Sequence, residues 1–181
     1  MTRFLLSLAL AATVAAPAAT AQTVVRDGSE IAFTTRQMGV PVDGRFTQWQ
    51  AQMRFDPKSP AAGSVSFTIE TGSASFGATE TETEVKKPEW FHVAKFPRAS
   101  FTSTGIQATG PGRYAVAGQL TIKGKAQPLT VPVQLAGDTA SGSFAIKRLS
   151  FDIGSGDWAD TSMVADEVQV RFKLKLAGLP K

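Results

Sequence analysis

The sequence predicts an all-β protein, an eight-stranded antiparallel barrel with a short helical insertion between strands three and four. Three observations lead there. Apolar and polar residues alternate with period two in eight separate segments. Turn signals fall between or beside them: Asp27-Gly28, Asp43-Gly44, Asp56-Pro57, Gly110-Pro111-Gly112, Lys123-Gly124-Lys125 and Gly137-Asp138. One polar stretch, Ala78 to Lys87, breaks the rhythm. Short connections favour antiparallel pairing over crossover units, and eight strands is the number that closes a small barrel.

The first strand carries Ile31 and Phe33 against Glu30 and Thr34, and the second carries Trp49, Ala51, Met53 and Phe55 against Gln50, Gln52 and Arg54. In the third, Val65, Phe67 and Ile69 alternate with Ser66, Thr68 and Glu70. The insertion follows. Its sequence, ATETETEVKK, places acidic residues first and lysines last, which suits the helix dipole, and Glu82 and Lys86 are spaced for an i, i+4 pair. Pro88 stops this helix; Glu89 to Phe96 reads as a second short helical turn that ends at Pro97. The fourth strand holds Ala99 and Phe101. The fifth turns Tyr114, Val116, Gly118, Leu120 and Ile122 one way. Leu129, Val131, Val133 and Leu135 mark the sixth, and Gly142, Phe144 and Ile146 the seventh. The eighth is the clearest. Val168, Val170, Phe172, Leu174 and Leu176 face inward, and Gln169, Arg171, Lys173 and Lys175 face water.

The first 21 residues are read as a cleaved signal peptide: Arg3, a 13-residue apolar run from Phe4 to Ala16, then Ala19-Thr20-Ala21 as the cleavage signature. That run is short of the ~20 residues that span a bilayer. Residues 22–181 then form a single domain, and no later run is long enough to be an integral membrane segment. An exported chain without cysteine points to a bacterial envelope compartment, the periplasm. The net charge of the chain is +4, which favours solubility and mild attraction to anionic surfaces. No nucleic-acid partner is expected, because on the last strand the cations and the apolar residues lie on opposite faces. The oligomeric state is left open.

Catalytic chemistry finds few candidates. With no cysteine and one histidine, His92, thiol nucleophiles, cysteine-ligated metals and two-histidine zinc motifs are excluded. No serine stands in a nucleophile elbow and no motif ties an aspartate to His92, which reads as a helix-face residue. Glu80, Glu82 and Glu84 read as a solvated helix face rather than paired catalytic carboxylates. Asp152, Asp157 and Asp160 do not have the spacing of a calcium loop, and read as a turn whose side chains bond the backbone. No catalytic residue, metal or cofactor is therefore assigned, and the protein is not read as an enzyme. What remains is an apolar interior. Its inward positions include Phe33, Met53, Phe55, Phe67, Ile69, Phe101, Val116, Leu120, Phe144, Ile146, Val170 and Phe172, with Ala51 and Gly118 leaving room between the large ones. A barrel of eight strands either fills with side chains or holds one small ligand, and alternation does not distinguish the two.

Several blocks together resemble the YceI-like, polyisoprenoid-binding proteins of the bacterial periplasm. Gly28 to Phe33 resembles that family's S-x-I-x-F opening, Met38 to Phe46 its M-G-V…V-x-G-x-F block, and Phe55-Asp56-Pro57 its F-D-P. Glu89 to Phe101 is similar to its F-F-D-V-x-x-Y-P-x-A-x-F, and Gly118 to Gly124 to its G-x-L-T-I-x-G. The order and spacing of the blocks, more than any one of them, carry the resemblance. There are departures: Gln37 where the family often has histidine, His92 where it has aspartate, and ATETETEVKK in place of an R-D-x-H-L run. The resemblance implies a lipocalin-like barrel, with a long isoprenoid chain such as a quinone tail or a polyprenyl phosphate as the bound lipid. The inward residues above would line its tunnel, and Met38, Trp90 and Phe91 would stand at its mouth. It implies a periplasmic carrier with transient membrane contact. The alternatives are a filled barrel acting through protein contacts in envelope stress and, less favoured, an enzyme acting on isoprenoid lipids or sugars. Strands of about ten residues give a tube of roughly 33 Å at ~3.3 Å per residue. Burying a 40-carbon chain at ~0.8 kcal/mol per carbon would sum to roughly 32 kcal/mol, past the practical affinity ceiling of ~20, so affinity needs no charged contact.

Overall fold

The computed structural model describes residues 22–180; the expected signal peptide, Met1 to Ala21, lies outside them. One antiparallel sheet of ten strands, not eight, curls around an apolar interior in the order β3-β4-β6-β7-β8-β9-β10-β1-β2-β5. The strands are β1 (Thr23–Gln37), β2 (Val40–Phe46), β3 (Trp49–Arg54), β4 (Ser64–Glu70), β5 (Ala74–Ser75), β6 (Arg98–Gly110), β7 (Arg113–Ile122), β8 (Lys125–Ala136), β9 (Thr139–Lys147) and β10 (Glu167–Ala177).

The two extra strands have physical causes. Asp43-Gly44 is not a turn but the middle of β2, where Gly44 pairs with Phe33 of β1. β5 is two residues long and bonds the end of β2, too short to show a period. Likewise Asp27-Gly28 is a bulge inside β1, where the register to β10 slips between Val25 and Glu30. Gly28 takes φ +85° there, and the Ser29 hydroxyl accepts the Lys175 N–H at 2.8 Å, rejoining the strands. Beyond the bulge, the beginning of β1 reaches β3. Gln22 N donates to Met53 O at 3.0 Å, and the Arg26 guanidinium donates to Trp49 O while lying 4.3 Å from the Trp49 ring centroid. The curl is thereby drawn together across its first and third strands.

The wall is not uniform. β8 pairs with β7 without a slip from Arg113–Gln134 to Ile122–Lys125, but it pairs with β9 only through Gln134, Leu135 and Ala136. Pro128 and Pro132 have no N–H to donate. Since the ladder with β7 runs on through both, the loss falls on the β9 side. Beyond the three pairs next to their shared turn, β8 and β9 are therefore joined by no ladder.

The insertion contains one helix, α1 (Thr79–Glu84), shorter than the predicted stretch. Glu82 does not serve the expected pair with Lys86. Its carboxylate turns back to accept from the Ser75 hydroxyl at 2.9 Å and from the N–H groups of Phe76 and Gly77 at 3.1 and 3.3 Å. Those bonds, the Ser75 hydroxyl first, hold its pKa below the ordinary value. The ion pair of this segment is Lys87 with Glu84. Glu89 to Phe96 is not a helical turn but a series of tight turns, with His92 at φ +50°. His92 is therefore no helix-face residue; its ring meets Phe96 edge-on at 5.8 Å.

Candidate functional site

The interior holds two adjoining cavities. The narrow one, about 160 Å³, lies toward the β8–β9 turn and is walled almost wholly by apolar side chains, from Val24 and Met53 to Leu135, Leu174 and Leu176. The wide one, about 640 Å³, lies under α1 and the segment that joins β9 to β10. Six residues line both: Ile31, Ile69, Ala99, Leu120, Phe144 and Val170. A 150 Å³ apolar cavity stays dry and takes a benzene-sized guest, and pockets for larger ligands run to ~300–1,000 Å³. Width at one end and narrowness at the other suit a chain with a bulkier head.

The structure places all twelve inward candidates in these walls. Met53, Phe55, Phe67, Phe101, Val116 and Phe172 line the narrow chamber, Phe33 and Ile146 the wide one, and Ile69, Leu120, Phe144 and Val170 both. Met38, Trp90 and Phe91 all line the wide chamber. Gly118, however, leaves no room. A Cβ there would stand 2.5 Å from the Phe101 ring and 2.5 Å from Thr102 O, because the ring lies over it. Phe172 lies over Gly142 in the same way, and Phe33 over Gly44. Three glycines thus let three phenylalanines lie against the sheet instead of standing into the bore.

Other residues of the site carry no sequence signal. Arg148 follows β9 and is only 1% exposed. Its Nε donates to Ala165 O at 3.1 Å, Nη1 to Ile153 O at 2.9 Å and Gly154 O at 2.8 Å, and Nη2 to Trp158 O and Val164 O at 2.7 Å each. All five donors are used on carbonyls, which gathers the segment between β9 and β10 into a cap over the wide chamber. Burial lowers the pKa of this guanidinium, with Asp166 opposing the shift. The guanidinium carbon also lies 5.9 Å from the Trp90 ring centroid, and Trp90 packs on Trp158 at 5.4 Å. Ile106 was missed for another reason. The bulge between Ser103 and Gly105 reverses which parity of β6 faces inward.

Two connections hold this cap to the insertion. Glu89 O accepts the N–H groups of Gly154 at 2.8 Å and Ser155 at 2.9 Å. Lys123 Nζ donates to Pro88 O at 2.7 Å and Asp152 O at 2.6 Å, and burial lowers its pKa. Two aspartates of the cap serve structure. Asp152 pairs with Lys125 at 2.7 Å, and Asp160 accepts from Ser162 N and Oγ at 2.8 and 2.7 Å, bonds that lower its pKa. Among the described residues no three acidic or histidine side chains group as a metal site would need. Two polar atoms in the wide chamber's wall residues are buried without a hydrogen-bond partner, Thr35 Oγ1 and Trp90 Nε1. The wide chamber's lining also includes Glu80 and Glu84; that of the narrow one is apolar almost throughout.

A family model described as the YceI-like domain matches residues 22–176. BcnA of Burkholderia cenocepacia has a crystal structure that superposes with a TM-score of 0.80 at 41% identity, covering 86% of this chain and 99% of that one. A polyisoprenoid binding domain from Saccharophagus degradans, described as implicated in plant cell wall breakdown, shares the fold with a TM-score of 0.65 at 16% identity, covering 87% of this chain and 98% of that one. The UPF0312 protein YE1254 of Yersinia enterocolitica is 34% identical over 108 residues, 59% of this chain. The match spans only 56% of that relative's length.

Proposed function

The chain belongs to the YceI-like family, and from that premise we propose that it is a binding protein for a long-chain isoprenoid lipid, exported by cleavage after Ala21 and carrying its ligand through the periplasm. The observation that carries this reading is a hollow apolar interior, two adjoining chambers that share six apolar wall residues. A filled barrel has no such space. The narrow chamber, of a size that takes a benzene-sized guest, receives the end of a prenyl tail, where nothing asks for a polar partner and each buried CH₂ contributes ~0.8 kcal/mol. A head group, quinone or phosphate, then lies in the wide chamber near Trp90 and Thr35. The Saccharophagus degradans domain, named for polyisoprenoid binding, supports the choice of ligand. The walls supply burial and orientation and set up no nucleophile–base pair, so the proposal is a carrier and not an enzyme.

The experiment is a solvent extract of the native mature protein, analysed by mass spectrometry, followed by reloading of delipidated protein with polyprenol. Stoichiometric isoprenoid is expected in the extract, and saturable uptake on reloading. Protein that carries no lipid and takes up none would refute the proposal.

A further inference from the structure

Met38, Val40 and Met163 are the large hydrophobic side chains that stand exposed among the described residues, at 72%, 63% and 45%. They are not scattered. Met38 N donates to Met163 O at 2.9 Å, and Val40 opens β2 directly after the Met38-Gly39 turn. Met38 and Met163 also line the wide chamber, so the apolar surface is continuous with the cavity. Single exposed hydrophobics are ordinary; a group at a cavity rim marks an interaction site.

Met38 breaks a second rule. It takes φ +48° ahead of Gly39 at +80°, the turn that favours Asn-Gly or Asp-Gly. An unbranched apolar side chain is held in a left-handed conformation and pointed at water. Local rules broken together without a packing return mark function. The charges at the same rim decide the kind of surface it meets. Arg36 is fastened to Gly39 O at 3.1 Å, while Glu80 and Glu84 line the same chamber. Mixed signs give no net attraction to an anionic face, so the tip docks by apolar insertion.

We propose that the Met38–Val40 turn and Met163 form a tip that inserts into the interfacial region of a lipid bilayer and sets the chamber mouth against it for lipid exchange. This rests on the lipid-carrier reading above. It adds where the ligand enters and what the protein touches when it does.

The test uses vesicles of phosphatidylcholine, with flotation for docking and transfer of a fluorescent polyprenol from vesicle to protein for exchange. Met38→Asn suits the turn better than methionine, so it is expected to fold with equal or greater stability. Combined with Val40→Thr and Met163→Gln, it is expected to lower vesicle partitioning and the transfer rate at least tenfold. Val40 lines neither chamber, so Val40→Asp alone is expected to lower partitioning and transfer while uptake of polyprenol from detergent solution stays unchanged, and partitioning of the parent should be the same in 0.1 and 0.5 M salt, because insertion is not screened. Parent protein that does not float, a triple variant that floats as well as the parent, or binding abolished by salt would overturn the proposal. So would a dimer of the parent that the triple variant dissolves, since the face would then meet a second copy. Docking without lipid uptake from detergent would sink the carrier reading and leave the tip standing.

Discussion

Replacing Gly44 by alanine tests whether the phenylalanine–glycine pairs shape the bore. The new Cβ would stand 2.3 Å from Phe33 Cζ and 2.6 Å from its Cε2. Carbon atoms pack at ~3.5–4.0 Å, so the ring tip must retreat by more than an ångström. At Gly118 and Gly142 a backbone carbonyl also blocks the Cβ, but at Gly44 only the Phe33 ring does. Phe33 is buried against Phe46 and Phe76, with centroids 5.1 and 5.2 Å away, and the ring can yield only toward the wide chamber it lines. Overpacking of this kind costs ~1–3 kcal/mol. Without the ring the sign reverses, because alanine in a strand is favoured over glycine by roughly 0.5–1 kcal/mol. Urea denaturation is therefore expected to show Gly44→Ala destabilising the parent and stabilising a Phe33→Leu background, a coupling of ~1–3 kcal/mol. Polyprenol capacity of the single variant should fall with the intruding ring. Equal effects of Gly44→Ala in both backgrounds would refute the reasoning.

Arg148→Lys keeps the charge but supplies three donors where five carbonyls are bonded. At least two are left buried and unpaired at ~1–3 kcal/mol each, and thermal unfolding should show the loss. Glu82 titrates below its ordinary 4.5 when folded. Its contribution is complete above pH 4.5 and is lost as pH falls through the lower folded value. The amides of Phe76 and Gly77 should report that release by NMR, and Glu82→Gln should flatten the profile. Trp90→Phe and Thr35→Val remove the two unpaired polar atoms. Thr35→Val is expected to leave the ligand-free protein at least as stable, Trp90→Phe to lower its stability through lost packing on Trp158 and Arg148, and both to weaken binding of a polyprenyl quinone more than of a plain isoprenoid hydrocarbon, measured by displacement.

Period two is legible wherever a strand runs straight with one face buried, as in β10, where Leu174 and Leu176 are deeply buried and Arg171, Lys173 and Lys175 are exposed. It fails where the backbone inserts a residue. The β6 bulge hides Ile106, and the β1 bulge makes Asp27-Gly28 look like a turn. It fails again where a glycine serves a neighbour across the sheet. Gly44 reads as punctuation because its reason, the Phe33 ring, lies eleven positions back. The apolar lining was legible for the same reason as the strands, since alternation names the inward set. Hollowness was not, because volume depends on how the rings lie and how far β8 and β9 part. Arg148 was invisible, since its five partners are carbonyls and carbonyls have no letter in a sequence.

The unpaired seam between β8 and β9 sets how the barrel responds to guests of different girth. Between the other neighbouring strands of the sheet, widening would mean breaking ladder bonds. Between Lys125 and Val133, β8 has none with β9 to break. Leu129, Val131 and Val133 lie in that unpaired stretch and line the narrow chamber, so it is this wall that can stretch like a gusset, while the wide chamber takes no lining residue from β8. Tolerance of girth then falls on the tail. Pro128 and Pro132 keep the same edge from becoming a template for another chain, because a strand that lacks two donors is a poor partner for β-addition.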